Sequence, residues 1–222
     1  MADIFREVDE ELRREQAHKL WQRYGTYVLA AAVLVVLATA AAVGWREWRD
    51  ADLRAQGARL VAATELAAKG STEEAIRSLD ALAGDASDGY ALLARLNEAA
   101  LRAKQGDTAG AAALYEAIAE GNASATYRDL AVLLLALNSF NSADPQTMIG
   151  RLAPITAEDN PLRFSALELT ALYERKAGNL ARAREIYQQL AEAGGVPAAM
   201  RERAREMLRL TTDAAGGAKG AS

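Results

Sequence analysis

From Tyr24 to Trp45 no charged side chain interrupts the chain, a run of 22 residues. At about 1.5 Å per residue, a helix of that length matches the ~30 Å hydrocarbon core of a bilayer. Val28, Leu29, Val33, Leu34, Val35, Val36, Leu37 and Val43 lie within it, each favouring insertion by roughly 0.3–0.6 kcal/mol at a central position. The borders are aromatic, with Trp21, Tyr24 and Tyr27 at one end and Trp45 and Trp48 at the other. Rings with an apolar body and a polar edge settle at headgroup level, so these five are the expected membrane-interface anchors. Residues 24–45 therefore read as a single transmembrane helix. A cleaved signal peptide is the rival, because Ala38-Thr39-Ala40 has the small-residue form of a cleavage site. Against it, the preceding 23 residues carry six acids, and the apolar run exceeds the roughly 7–15 residues of a signal core. Before the span, Phe5, Val8, Leu12 and Leu20 fall near helical spacing. Residues 1–23 thus read as a tail that is partly an amphipathic helix on the membrane or a partner, or a frayed charged segment.

After the span the pattern becomes periodic. Gly70, Gly106 and Gly178 recur at 36 and then 72 residues, each followed by a helix starter, Ser71, Asp107 or Asn179. Glycine takes the positive φ that closes a helix, and the polar residue behind it caps free N–H groups of the next. Ser71-Thr72-Glu73-Glu74 has the form of a capping box. Small residues travel with the glycines: Ala75, Ala111 and Ala183 five positions on, Ala63, Ala99 and Ala171 seven positions before. Larger ones follow at Leu79, Tyr115 and Tyr187, then at Leu82, Ile118 and Leu190. Two helices that cross closely need a small residue at the crossing, and a ring or Leu fills the space beside it. A third unit carries a one-residue insertion, with Ala136, Ala143, Met148, Leu152 and Ile155 in register, and Asp144-Pro145 standing where the others have Gly and a polar residue. Proline at the first helical position follows such a cap naturally.

This pattern resembles the tetratricopeptide repeat, a helix-turn-helix unit of about 34 residues. Lys104 to Tyr115 and Lys176 to Tyr187 match its second half well, while the first halves diverge. With Ala and Leu dominant and only four Pro the chain reads as all-α: a transmembrane helix, a helical linker over residues 46–55, and, as the resemblance implies, a tetratricopeptide-like α-solenoid over 56–210. Asn160-Pro161 is expected to start one helix, and Pro197 to Leu210 to form a capping helix. Residues 211–222, small and Gly-rich toward the end, are expected to be disordered.

Composition narrows the chemistry. The chain has no Cys and one His, His18, which leaves no material for zinc–thiolate sites, iron–sulfur clusters or thiol catalysis. A net charge of −4 has the wrong sign for nucleic acid. No enzyme and no cofactor are expected. Arg13, Arg14, Lys19 and Arg23 flank the span on one side, Arg46, Arg49, Arg54 and Arg59 on the other. Four against four leaves the positive-inside rule silent.

Two short segments supply what charge does not. Gly44-Trp45-Arg46-Glu47-Trp48 and Tyr90-Ala91-Leu92-Leu93-Ala94-Arg95-Leu96 resemble the anchor exit and first repeat of the ancillary subunit of the bacterial Sec translocon. The resemblance implies an inner-membrane protein with its N-terminus cytoplasmic and its repeats periplasmic. Implied partners are Sec translocon subunits, periplasmic folding factors, exported polypeptides and the lipid bilayer, with no nucleic acid. A scaffold for cell-envelope or cell-division machinery is the alternative. Laying the repeat onto the sequence places Leu60, Leu93, Leu96, Leu130, Leu133, Leu137 and Phe140 on the inner helical face, the expected protein-binding groove.

Overall fold

The structure is a computed structural model that describes residues 2–217, with side chains described for His18 and from Trp21 to Thr211. The side chains of Phe5, Val8, Leu12 and Leu20 therefore lie outside the described residues, as do positions 218–222 at the end of the expected disordered tail.

The described residues are all helical or in turns, in the order α1 (Ala2–Ala68), α2 (Thr72–Asp85), α3 (Asp88–Lys104), α4 (Thr108–Ala119), α5 (Ala125–Asn138), α6 (Pro145–Leu152), α7 (Arg163–Lys176), α8 (Leu180–Glu192) and α9 (Ala198–Gly217), with a 3₁₀ turn at Ala153–Thr156 after α6. Two compact units divide the chain between Ala55 and Gln56.

In the first unit α1 is apolar on every side over the expected span. Leu29, Leu34 and Leu37 are 64%, 67% and 62% exposed, and the most apolar stretch of the helix has none of its residues buried. The core helix of a soluble protein hides such residues; this one is long and apolar enough to cross a membrane, and nothing in its unit covers it. The Thr39 hydroxyl, deep in that stretch, is satisfied internally, Oγ1 donating to the Val35 carbonyl at 2.8 Å, as lipid requires. Trp45 and Trp48 lie together, ring centroids 5.2 Å apart.

The second unit stacks helices in sequence, each packing on the next. The small residues that repeat in the sequence are the crossings: Ala63, Ala99, Ala136 and Ala171 are fully buried, and so are Ala75, Ala111 and Ala183. Leu79, Tyr115 and Tyr187, with Leu82, Ile118 and Leu190, fill the spaces between pairs, all at most 3% exposed. Three apolar clusters result, one on residues 56–68 with α2 and α3, one from α3 to α7, and one from α7 to α9.

The turns follow the glycines. Gly70, Gly106 and Gly178 have φ of +88°, +88° and +85°. Behind each, two N–H groups fold back: Gly106 to the Ala103 carbonyl at 3.0 Å and Asp107 to Arg102 at 2.9 Å in one case. This reciprocal pair satisfies carbonyls that a helix end leaves orphaned. The helix starts are less uniform than the sequence suggests. Asp107 accepts from the Gly110 N–H at 2.9 Å and Asp144 from the Thr147 N–H at 2.8 Å. Ser71 makes no side-chain cap, so the expected capping box does not form. Asn179 instead donates back to Glu174 at 2.7 Å. The expected helix start at Asn160-Pro161 moves to Arg163, with the Asn160 side chain accepting from the Leu162 N–H at 2.9 Å in the turn before it. At the C-terminus α9 keeps helical backbone to Gly217, past the boundary at residue 210 expected for the folded domain.

Candidate functional site

The groove residues of the sequence reading divide by burial. Leu133 is buried in the central cluster at 6% exposure. Leu96 and Phe140 are half-buried against that cluster, Leu60 against the first. Leu93 and Leu130 are half-buried. Leu137 alone of the seven is open to solvent, at 62%.

Phe140 is held by its neighbours. Its ring meets Tyr173 edge-on with centroids 5.2 Å apart, and Lys176 Nζ stands 5.4 Å from the ring centroid. The same ammonium donates to the Phe140 carbonyl at 2.5 Å and to the Ala143 carbonyl at 3.0 Å. Tyr173 Oη donates to the Ala136 carbonyl at 2.6 Å. At the end of α5 the backbone passes over that carbonyl, since Ser139 N–H bonds to Leu135 and Phe140 N–H to Leu137. The α5–α6 corner lacks the positive-φ glycine of the α1–α2, α3–α4 and α7–α8 turns, and α7 of the following repeat supplies the missing donors. Neither Tyr173 nor Lys176 stood out in the sequence as a corner residue. The signal was the missing glycine itself, which leaves carbonyls that some other group must satisfy.

Several charges elsewhere in the unit are paired and structural. Arg151 grips Glu116 with both terminal nitrogens at 2.6 Å, joining α4 to α6. The Arg151 guanidinium holds the Glu116 carboxyl below its ordinary range. Glu98, 2% exposed, accepts from Arg102 at 2.8 Å, and Arg102 reaches Asp107 at 3.2 Å. The Gly110 N–H and then Arg102 lower the Asp107 carboxyl, and the Thr147 N–H and hydroxyl lower that of Asp144. These carboxylates are committed to helix starts and cross-links.

Two hollows mark the surface of this unit. One, of about 710 Å³, lies along α3 where the α2–α3 and α4–α5 turns meet, with Leu92, Arg95, Ile118 and Tyr127 among its walls. The other, of about 300 Å³, lies between α7, α8 and α9, lined by Glu168, Leu172, Tyr187, Arg203, Glu206 and Met207.

Successive helix pairs closed by small residues at each crossing define an α-solenoid of helical repeats. The chain belongs to the tetratricopeptide repeat-like domain family, whose profile matches residues 18–216. That match takes in the apolar part of α1 as well as the repeats. No match is found among curated proteins or among solved structures.

Proposed function

We propose that this protein is a membrane-tethered interaction module of the bacterial Sec translocon that helps hand over or fold exported polypeptides, a chaperone-like role without catalysis. Membership of a tetratricopeptide repeat-like family supports protein partners in general. The apolar stretch of α1, uncovered on all sides, supports insertion in a bilayer with Trp21, Tyr24, Tyr27, Trp45 and Trp48 at its borders. The translocon rests on the likeness of Gly44–Trp48 and Tyr90–Leu96 to its ancillary subunit, and so does the orientation, N-terminus cytoplasmic and repeats periplasmic.

The observation that carries a binding surface is Leu137, a large apolar side chain left 62% exposed on α5. Half-buried Leu60, Leu93, Leu96, Leu130 and Phe140 belong to the same proposed groove, with buried Leu133 as its support. An exposed Leu contributes little to folding, so Leu137→Gln is expected to leave the melting temperature unchanged. A photo-crosslinker at position 137 of the full chain, in cells, is expected to capture translocon subunits and nascent exported chains. Recovery of peptidoglycan-synthesis or division proteins in their place would replace this reading with the envelope scaffold. Crosslinks from the apolar helix but none from position 137 would move the interface out of the groove.

A further inference from the structure

Asn122-Ala123-Ser124 has the form Asn-x-Ser/Thr, without a middle proline, in which an asparagine amide accepts a sugar. Such a tripeptide serves only where an enzyme can reach it. This one lies between α4 and α5, outside any helix, with Asn122 and Ser124 both exposed. The N–H groups of Asn122, Ala123 and Ser124 make no backbone hydrogen bond, so the three residues can bend into an active site without breaking a helical ladder.

The side chains are uncommitted as well. Four other asparagines are tied down: Asn97 donates to the Leu93 carbonyl and Asn138 to that of Thr108, both at 2.8 Å. Asn160 donates to Asp129 and Asn179 to Glu174, both at 2.7 Å. Of the remaining two, Asn122 and Asn141, only Asn122 has a hydroxyl two places on, since Ala143 stands at that distance from Asn141. Ser124 precedes α5, where a serine ordinarily caps free N–H groups, yet its side chain makes no cap. Asn122 and Ser124 also line the larger hollow, so a bulky group on the amide meets about 710 Å³ of open volume instead of packed chain.

We propose that Asn122 is an N-glycosylation site. Its Nδ2 forms a bond to the anomeric carbon of an oligosaccharide carried on a lipid pyrophosphate. The bond from that carbon to the phosphate oxygen breaks, its electron pair stays with the departing pyrophosphate, and one amide proton passes to a base of the transferase. An amide nitrogen is a weak nucleophile, because its lone pair is delocalised into the carbonyl, so the transferase must hold the segment closely. The Ser124 hydroxyl is one handle for that, and the exposed Glu120 carboxylate, two residues before Asn122, is a second. The proposal rests on the periplasmic orientation of the repeats and adds a covalent modification to it.

The test uses the full chain purified from membranes of the cells that make it, read by intact mass and by fragmentation of tryptic peptide 105–128. That peptide is expected to carry a whole number of sugar residues, localised to Asn122. Asn122→Gln and Ser124→Ala are each expected to lose the added mass. Both should melt like the unglycosylated parent, because neither side chain makes a hydrogen bond in the fold. Sugar on a hydroxyl of the peptide, or on Asn122 undiminished in Ser124→Ala, overturns the assignment. An unmodified chain whose repeats are digested by protease in spheroplasts overturns the modification and leaves the orientation standing. An unmodified chain whose repeats resist until the membrane is broken overturns both.

Discussion

At the scale of single residues, the decisive positions are those with no alternative. Gly106 sits at φ +88°, and a Cβ built there meets nothing within 4 Å. Gly106→Ala therefore isolates the backbone term, and urea unfolding is expected to show a loss of about 1–2 kcal/mol. An unchanged midpoint would mean that the turn relaxes out of the left-handed region. Tyr173→Phe removes the donor to the Ala136 carbonyl while keeping the ring under Lys176. The expected loss is about 1–2 kcal/mol, read in the same way. The crossing alanines were legible in the sequence because each recurs at a fixed distance from a glycine. Tyr173 was not, because its partner is a carbonyl, and a backbone acceptor carries no residue code.

At the scale of elements, helix ends were read half correctly. Positive φ is a demand only glycine meets cheaply, so the glycines announced their turns. A cap is optional, and Ser71 and Asn179 stand at helix starts without capping them. Their position was legible, their hydrogen bonds were not. The carboxylates that do cap or cross-link make an acid-sensitive set. Asp107, Asp144 and Glu116 all titrate lower in the folded chain than their ordinary values of 3.8, 3.8 and 4.5. Their stabilisation is complete above those values and is lost as pH falls through the lower, folded ones. Glu116→Gln is expected to cost about 0.5–1 kcal/mol at neutral pH, a modest figure because the Glu116 and Arg151 side chains are 35% and 28% exposed. Once the pH has fallen past the lowered, folded-state range of Glu116, parent and variant should melt alike. A difference that persists in acid would assign the effect to packing rather than to charge.

At the scale of the whole molecule, an apolar run and a repeat length were enough to specify an all-helical chain with one membrane-competent helix. Which leucines stay open was hidden, because inner-face positions in this repeat serve both packing and binding. Leu133 and Leu137 lie one turn apart on α5 and differ from 6% to 62% exposure. Orientation was not legible from charge at all, with the basic flanks balanced. Protease added to spheroplasts is expected to digest the repeats and spare the N-terminal tail; repeats that resist until the membrane is broken would reverse the orientation. The α5–α6 corner, finally, bears on the order in which the chain is made. Its carbonyls are satisfied by Tyr173 and Lys176, which leave the ribosome more than thirty residues after Phe140. The two earlier hairpins close with their own glycines as soon as they emerge. The third must wait for the fourth, because until α7 has emerged the Ala136, Phe140 and Ala143 carbonyls lack the side chains that satisfy them.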